Sequence, residues 1–128
     1  MIRHLSLEQV VSLHQSLIGH LQADPGVRDL AALESAVARP TLSFDGEDLY
    51  PTVEAKAAAL LHALVTEAPF FTANQGTALL AAEVFLQANG RTLEASDRDL
   101  ERLVGLVATG QLSIEAITIW LAQRTGAR

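Results

Sequence analysis

The nine residues Ala68-Pro69-Phe70-Phe71-Thr72-Ala73-Asn74-Gln75-Gly76 are where this chain comes closest to a chemical purpose. They lie between two apolar-rich helical patterns. A helix that starts after small residues presents unpaired backbone N–H groups and the positive end of its dipole, which together suit an anion such as phosphate. Thr72, Ala73, Asn74 and Gly76 leave room for close approach. On residue chemistry alone the plain interhelical connection is the simpler account, because most loops with Asn and Gly do nothing else. The remaining candidates offer less. His4, His14, His20 and His62 lack the i, i+4 spacing of a metal-binding pair, and each reads as a structural histidine, His62 as one bonded to a backbone carbonyl. Asp45, Glu47 and Asp48 read as a solvated turn, Arg28 with Asp29 as a salt bridge at a helix start, and Trp120 as a core anchor.

These residues must be positioned by helices. Leu5, Val10, Val11, Leu13, Leu17, Ile18 and Leu21 recur near helical spacing behind Ser6, with Gln9 as its capping-box partner, so a helix is expected over 6–23, stopping at Asp24-Pro25-Gly26. A second spans about 28–38 and closes at Pro40, which disfavours helical geometry at Arg39. Residues 41–50 carry too few helix formers and an Asp-Gly pair, which predicts a hairpin-like flap. The longest apolar helix follows Pro51-Thr52 to about Glu67 and has apolar residues all round, the mark of a central helix. A second buried helix is expected over 77–87, stopping at Asn89-Gly90. Ser96 caps a fifth to about Ala108, and Ser113 starts a sixth, before a frayed tail over 124–128. The expected fold is all-α: one domain over 1–128 with about six helices and one flap.

Bulk composition narrows the function classes. The chain has 128 residues, 49% of them hydrophobic and 19% charged, enough apolar surface for a core and too much for global disorder. Nine Lys and Arg against fifteen Asp and Glu give a net charge of −6, a poor match for DNA. No apolar run reaches the roughly 18–20 residues of a membrane span. No cysteine is present, which removes disulfides, thiol catalysis and thiolate metal sites. With no cleavable signal pattern after Met1, a cytoplasmic address is expected.

Several ordered segments resemble the death-on-curing branch of the Fic/Doc family, whose signature reads His-x-Phe-x-Asp/Glu-Gly/Ala-Asn-Lys/Gly-x-Arg or, in this branch, continues Asn-Lys-Arg-Thr-Ala. The counterpart here runs from Ala68 to Leu79. Similar segments are Leu7-Glu8-Gln9-Val10 through His14, Gly26-Val27-Arg28-Asp29, Leu33-Glu34-Ser35-Ala36 with Arg39-Pro40, Asp48-Leu49-Tyr50-Pro51-Thr52, Lys56 to His62, and Val84-Phe85-Leu86 with Asn89-Gly90. The resemblance covers nearly the whole chain. It implies a mostly helical Fic-type fold with a small flap, and a signature loop that binds ATP and Mg²⁺. It also implies transfer of AMP or, in this branch, phosphate to a hydroxyl of a protein target. The branch's known target is elongation factor Tu, a translation factor, and its members pair with an antitoxin. By the same resemblance the flap, Ser43, Phe44, Asp45, Gly46, Glu47 and Asp48, docks the target as an added strand.

The departures fall on the residues that carry the family's chemistry. Ala68 stands at the position of the base, and losing a general base removes a contribution typically of order 10²–10⁴ in rate. Thr72 stands at the Mg²⁺ carboxylate position, and a neutral hydroxyl is a weak ligand for that cation. Gln75 and Gly76 stand at the two cationic positions; losing two charge-assisted contacts weakens nucleotide binding by about 10²–10⁴-fold. No catalytic position is intact and no metal site is expected. Phe70, Ala73, Asn74 and Thr77 remain as residual phosphate-binding positions by resemblance, and Glu67 and His62 are the nearest substitutes for the base. Three functions compete: an impaired family member that binds or regulates, a transferase still active on a protein hydroxyl, and a ligand-free oligomerisation module.

Overall fold

Local sequence fixes most helix starts. Ser6 and Gln9 form the expected capping box: the Ser6 amide donates to Gln9 Oε1 at 2.8 Å and the Gln9 amide to Ser6 Oγ at 3.1 Å. Asp29, Thr52, Ser96 and Ser113 each accept from the amide three residues on. Such caps contribute about 1 kcal/mol apiece. The computed structural model describes residues 1–21 and 26–127. The expected stop at Asp24-Pro25, the end of the first helix at Gln22 and Ala23, and the last residue Arg128 lie outside the described residues.

The elements in order are α1 (Leu7–Leu21), α2 (Leu30–Ala38), a 3-10 turn (Arg39–Thr41), β1 (Ser43–Phe44), β2 (Glu47–Asp48), α3 (Val53–Glu67), α4 (Asn74–Ala88), β3 (Arg91–Leu93), α5 (Asp97–Ala108), α6 (Ile114–Ala122) and β4 (Thr125–Ala127). The mostly helical expectation holds, with six α-helices and two small antiparallel ribbons among the described residues. Three details differ. Arg39 keeps helical geometry (φ −52°, ψ −46°) despite the following proline, and Pro40 sits in the first turn of a 3-10 helix, where its missing N–H leaves no hydrogen bond unmade. α4 begins at Asn74, three residues before the expected start at Thr77. The tail does not fray: Thr125–Ala127 pairs with Arg91–Leu93, and the Glu94 amide donates to the Arg124 carbonyl at 2.8 Å.

α3 is the axis of the molecule, with Ala55–Leu61 and Ala63–Val65 all buried and helices α2, α4, α5 and α6 packed around it. Its alanines let neighbours approach closely, while fully buried Leu60, Leu61 and Leu64 contribute about 1.5–3 kcal/mol each. The flap forms as expected. Asp45 (φ 55°) and Gly46 (φ 82°) make a two-residue turn with both φ positive, the geometry that fits the twist of a short hairpin. Asp48 does not belong to a purely solvated turn, because its carboxylate pairs with the buried Lys56 ammonium at 3.0 Å. No helix among the described residues is long and apolar enough to cross a membrane.

Candidate functional site

The signature loop joins α3 to α4 and is held from behind by the amino-terminal third of the chain. Ala68 ends α3 in a left-handed conformation (φ 44°, ψ 59°). Arg28 clamps that end: Nε and Nη2 donate to the Ala68 carbonyl at 2.9 and 2.6 Å, and Nη2 also donates to the Glu67 carbonyl at 3.0 Å. A cation at a helix C-terminus meets both orphaned carbonyls and the negative end of the dipole. Arg28 therefore spends itself on α3 rather than in the expected salt bridge with Asp29, whose carboxylate caps α2. The Arg28 and Asp29 amides donate to the Pro69 carbonyl at 2.8 and 3.1 Å, and Val27 bridges Phe70.

Two side chains set the loop's inner face. His14 is fully buried and stacks on Phe70 with ring centroids 3.8 Å apart and planes 6° from parallel. Its Nε2 donates to the Thr72 carbonyl at 3.0 Å, which leaves Nδ1 buried without a partner among the described residues. Asn74 uses both ends of its amide on one residue: Oδ1 accepts from the Phe70 amide and Nδ2 donates to the Phe70 carbonyl, each at 3.0 Å. Ala73, left-handed at φ 60°, then turns the chain into α4. The first intrahelical bond runs from the Thr77 amide to the Ala73 carbonyl, so the amides of Asn74, Gln75 and Gly76 lie in the turn where a helix has no acceptors of its own.

The loop opens onto a cavity of about 440 Å³ lined by Val65, Ala68, Phe71, Thr72, Ala73, Asn74, Gln75, Gly76 and Ala108. Every one of these is uncharged. The structure thus brings together six of the expected positions, Ala68, Thr72, Ala73, Asn74, Gln75 and Gly76. Phe70 and Thr77 are fully buried and do not line the cavity; Thr77 Oγ1 has no partner among the described residues. At Gly76 an added Cβ would lie 2.7 Å from Leu17 Cδ2, so an apolar side chain from α1 fills the space beside this position. Ser43 through Asp48 lie on the exposed flap and none of them lines this cavity.

Neither substitute for the base lines it. His62 faces Arg39 and Glu115; burial, with Arg39 adding to it, lowers its pKa from the usual histidine value, and Glu115 opposes them. Its Nδ1 is buried without a hydrogen bond among the described residues, so the expected bond to a carbonyl is not made through that nitrogen. Glu67 contributes its carbonyl to the Arg28 clamp. Among the described residues no group of three or more His, Asp or Glu side chains is placed to hold a metal ion. The wall of this cavity therefore offers a magnesium nucleotide no carboxylate for its metal and no cationic side chain for its phosphates.

A sequence model of the Fic/DOC family matches residues 4–86. The chain is 37% identical over 125 residues to Toxin Doc of Mycolicibacterium smegmatis, covering 95% of this chain and 93% of that protein. It is 30% identical over 125 residues to Protein kinase doc of Escherichia phage P1, covering 98% of each. The chain belongs to the Fic/DOC family.

Proposed function

We propose that this protein is a Doc-like member of a toxin–antitoxin-type pair in the cytoplasm that has lost efficient group transfer and acts by binding. The observation that supports this reading is the uncharged lining of the signature-loop cavity, from Ala68 to Gly76. Without a proton acceptor the attacking hydroxyl stays protonated, and without a carboxylate or cation the charge on transferring phosphate goes uncompensated. The scaffold around the loop is elaborately kept by Arg28, His14 and Asn74, which suits a surface that still docks partners. Two partners follow: an antitoxin-like protein, by likeness to the relative named Toxin Doc, and a protein target such as a translation factor. The flap would take the target as an added strand, with exposed Phe44 beside its turn.

A second reading, that transfer to a protein hydroxyl persists, is favoured by near-complete coverage of a relative named Protein kinase doc. One experiment separates the two. The purified chain is incubated with labelled ATP, Mg²⁺ and elongation factor Tu, and nucleotide affinity is measured in parallel. We expect no transfer and no micromolar binding. Ala68→His, Thr72→Asp and Gly76→Arg, introduced together with Leu17→Ala to clear the space at position 76, should raise nucleotide affinity. Transfer by the native chain that is lost on changing Asn74 would establish the second reading. A protein that binds neither nucleotide nor any partner and only self-associates would be an oligomerisation module.

A further inference from the structure

A second, smaller cavity of about 220 Å³ lies between α5 and α6, beyond the residues that the family model matches. In contrast to the signature-loop cavity its wall is charged. The Arg124 guanidinium carbon stands 4.0 Å from the centroid of the Trp120 ring, and Arg124 Nη1 donates to the Trp120 carbonyl at 3.2 Å. A guanidinium stacked on an indole is shielded on one face, and the edge N–H groups not used on the Trp120 carbonyl remain for a planar acceptor. Arg102 joins it on the cavity wall with no ion pair or hydrogen bond to its side chain among the described residues. Leu103, Leu106 and Leu112 complete an apolar floor.

Two guanidinium groups against an apolar floor ask for an anion with an apolar body. Guanidinium matches a carboxylate through paired N–H···O bonds. Asp99, also on the wall, leaves the site one net positive charge and would repel a second carboxylate. Size sets the rest. A space of roughly 150 Å³ holds a benzene ring, so this cavity admits a ring or branched aliphatic group with one carboxylate. It falls below the roughly 300–1,000 Å³ of sites for larger ligands such as nucleotides. We propose that the α5–α6 cavity binds a small apolar monocarboxylate, with Arg102 and Arg124 receiving the carboxylate and Trp120 and the leucines receiving its body.

Trp120 is the sole tryptophan of the chain, so its fluorescence reports on the site directly. The full chain is titrated with phenylacetate and, separately, with the uncharged isostere phenylacetamide. Phenylacetate should give a saturable change in Trp120 emission that weakens with added salt. The amide, and phenylacetate against Arg102→Gln or Arg124→Gln, should bind at least about tenfold more weakly, the loss of one charge-assisted contact. Arg102 is exposed, so its substitution keeps the fold, and amide NMR shifts confined to residues 99–124 locate the ligand. Equal binding of acid and amide would overturn the assignment, as would full affinity in Arg102→Gln, shifts confined to residues 68–76, or no saturation at millimolar phenylacetate.

Discussion

Lys56 carries a charge to a place where its side chain is only 3% exposed, and three partners surround Nζ: Asp48 Oδ2 at 3.0 Å, the Tyr50 carbonyl at 2.6 Å and the Pro40 carbonyl at 3.5 Å. Asp48, in contrast, is 57% exposed. Breaking this pair from its two ends should therefore have unequal consequences. Asp48→Asn leaves an ammonium buried with only carbonyl partners and should cost about 1–3 kcal/mol. Lys56→Met leaves a carboxylate that water rehydrates and should cost less; urea unfolding of the two variants checks the order. Residues of this kind were half legible. The loss of charge along the signature could be read directly, because residue type alone decides what Ala68 or Gly76 offers. The anchors could not. His14 reads as one more structural histidine, and only the fold brings it under Phe70 and Thr72, 58 residues away. Arg28 looks like the partner of its neighbour until α3 ends beside it. Leu17 looks like one apolar helix residue among several until it meets Gly76.

At the scale of the element, Gly76 sits in the first turn of α4 against α1. A helical glycine costs roughly 0.5–1 kcal/mol relative to alanine, so Gly76→Ala should stabilise α4 wherever the methyl finds room. It does not find room here, since the new Cβ would press on the tip of Leu17. Gly76→Ala alone should therefore be neutral or destabilising, and the same change in a Leu17→Ala background should be stabilising by about 0.5–1 kcal/mol. A double-mutant cycle in thermal or urea unfolding measures that coupling. Helices with their own side-chain caps, such as α3, α5 and α6, were placed from sequence to within two residues at their starts. α4 escaped because its N-cap is Ala73, with no capping side chain, and its first turn is organised by Asn74 reaching back to Phe70. The β3–β4 ribbon escaped for a different reason. Its strands have three residues each and pair across some thirty positions of chain, so no local pattern announces them.

Across the whole molecule two histidines, His4 and His62, give stability a pH dependence. His4 is held below the usual histidine value by burial and then by Lys56, with Asp48 opposing; His62 is lowered in the same direction. A histidine whose folded pKa is lowered leaves the folded chain with fewer protons than the unfolded one on the acid side of about 6.5. The stability these two sites provide is thus complete above about pH 6.5 and falls as pH drops towards their folded values. The urea midpoint should decline over that window, and replacing both residues with Gln should flatten the decline above about pH 5, before carboxylates titrate. The placement of the loop's anchors has a consequence in time. α3 and α4 are neighbours in sequence, but the clamps on the loop between them come from residues 14 and 28, across 58 and 40 positions. Contacts between distant segments close after local ones, because their chain entropy must be met first. We expect the two helices to dock while the loop between them is still unshaped, with Arg28 closing on it late. Arg28→Met should accordingly hasten unfolding in stopped-flow measurements and leave the refolding rate nearly unchanged. That pair of rates would mark the loop between α3 and α4 as the part of this fold set last and first to slip.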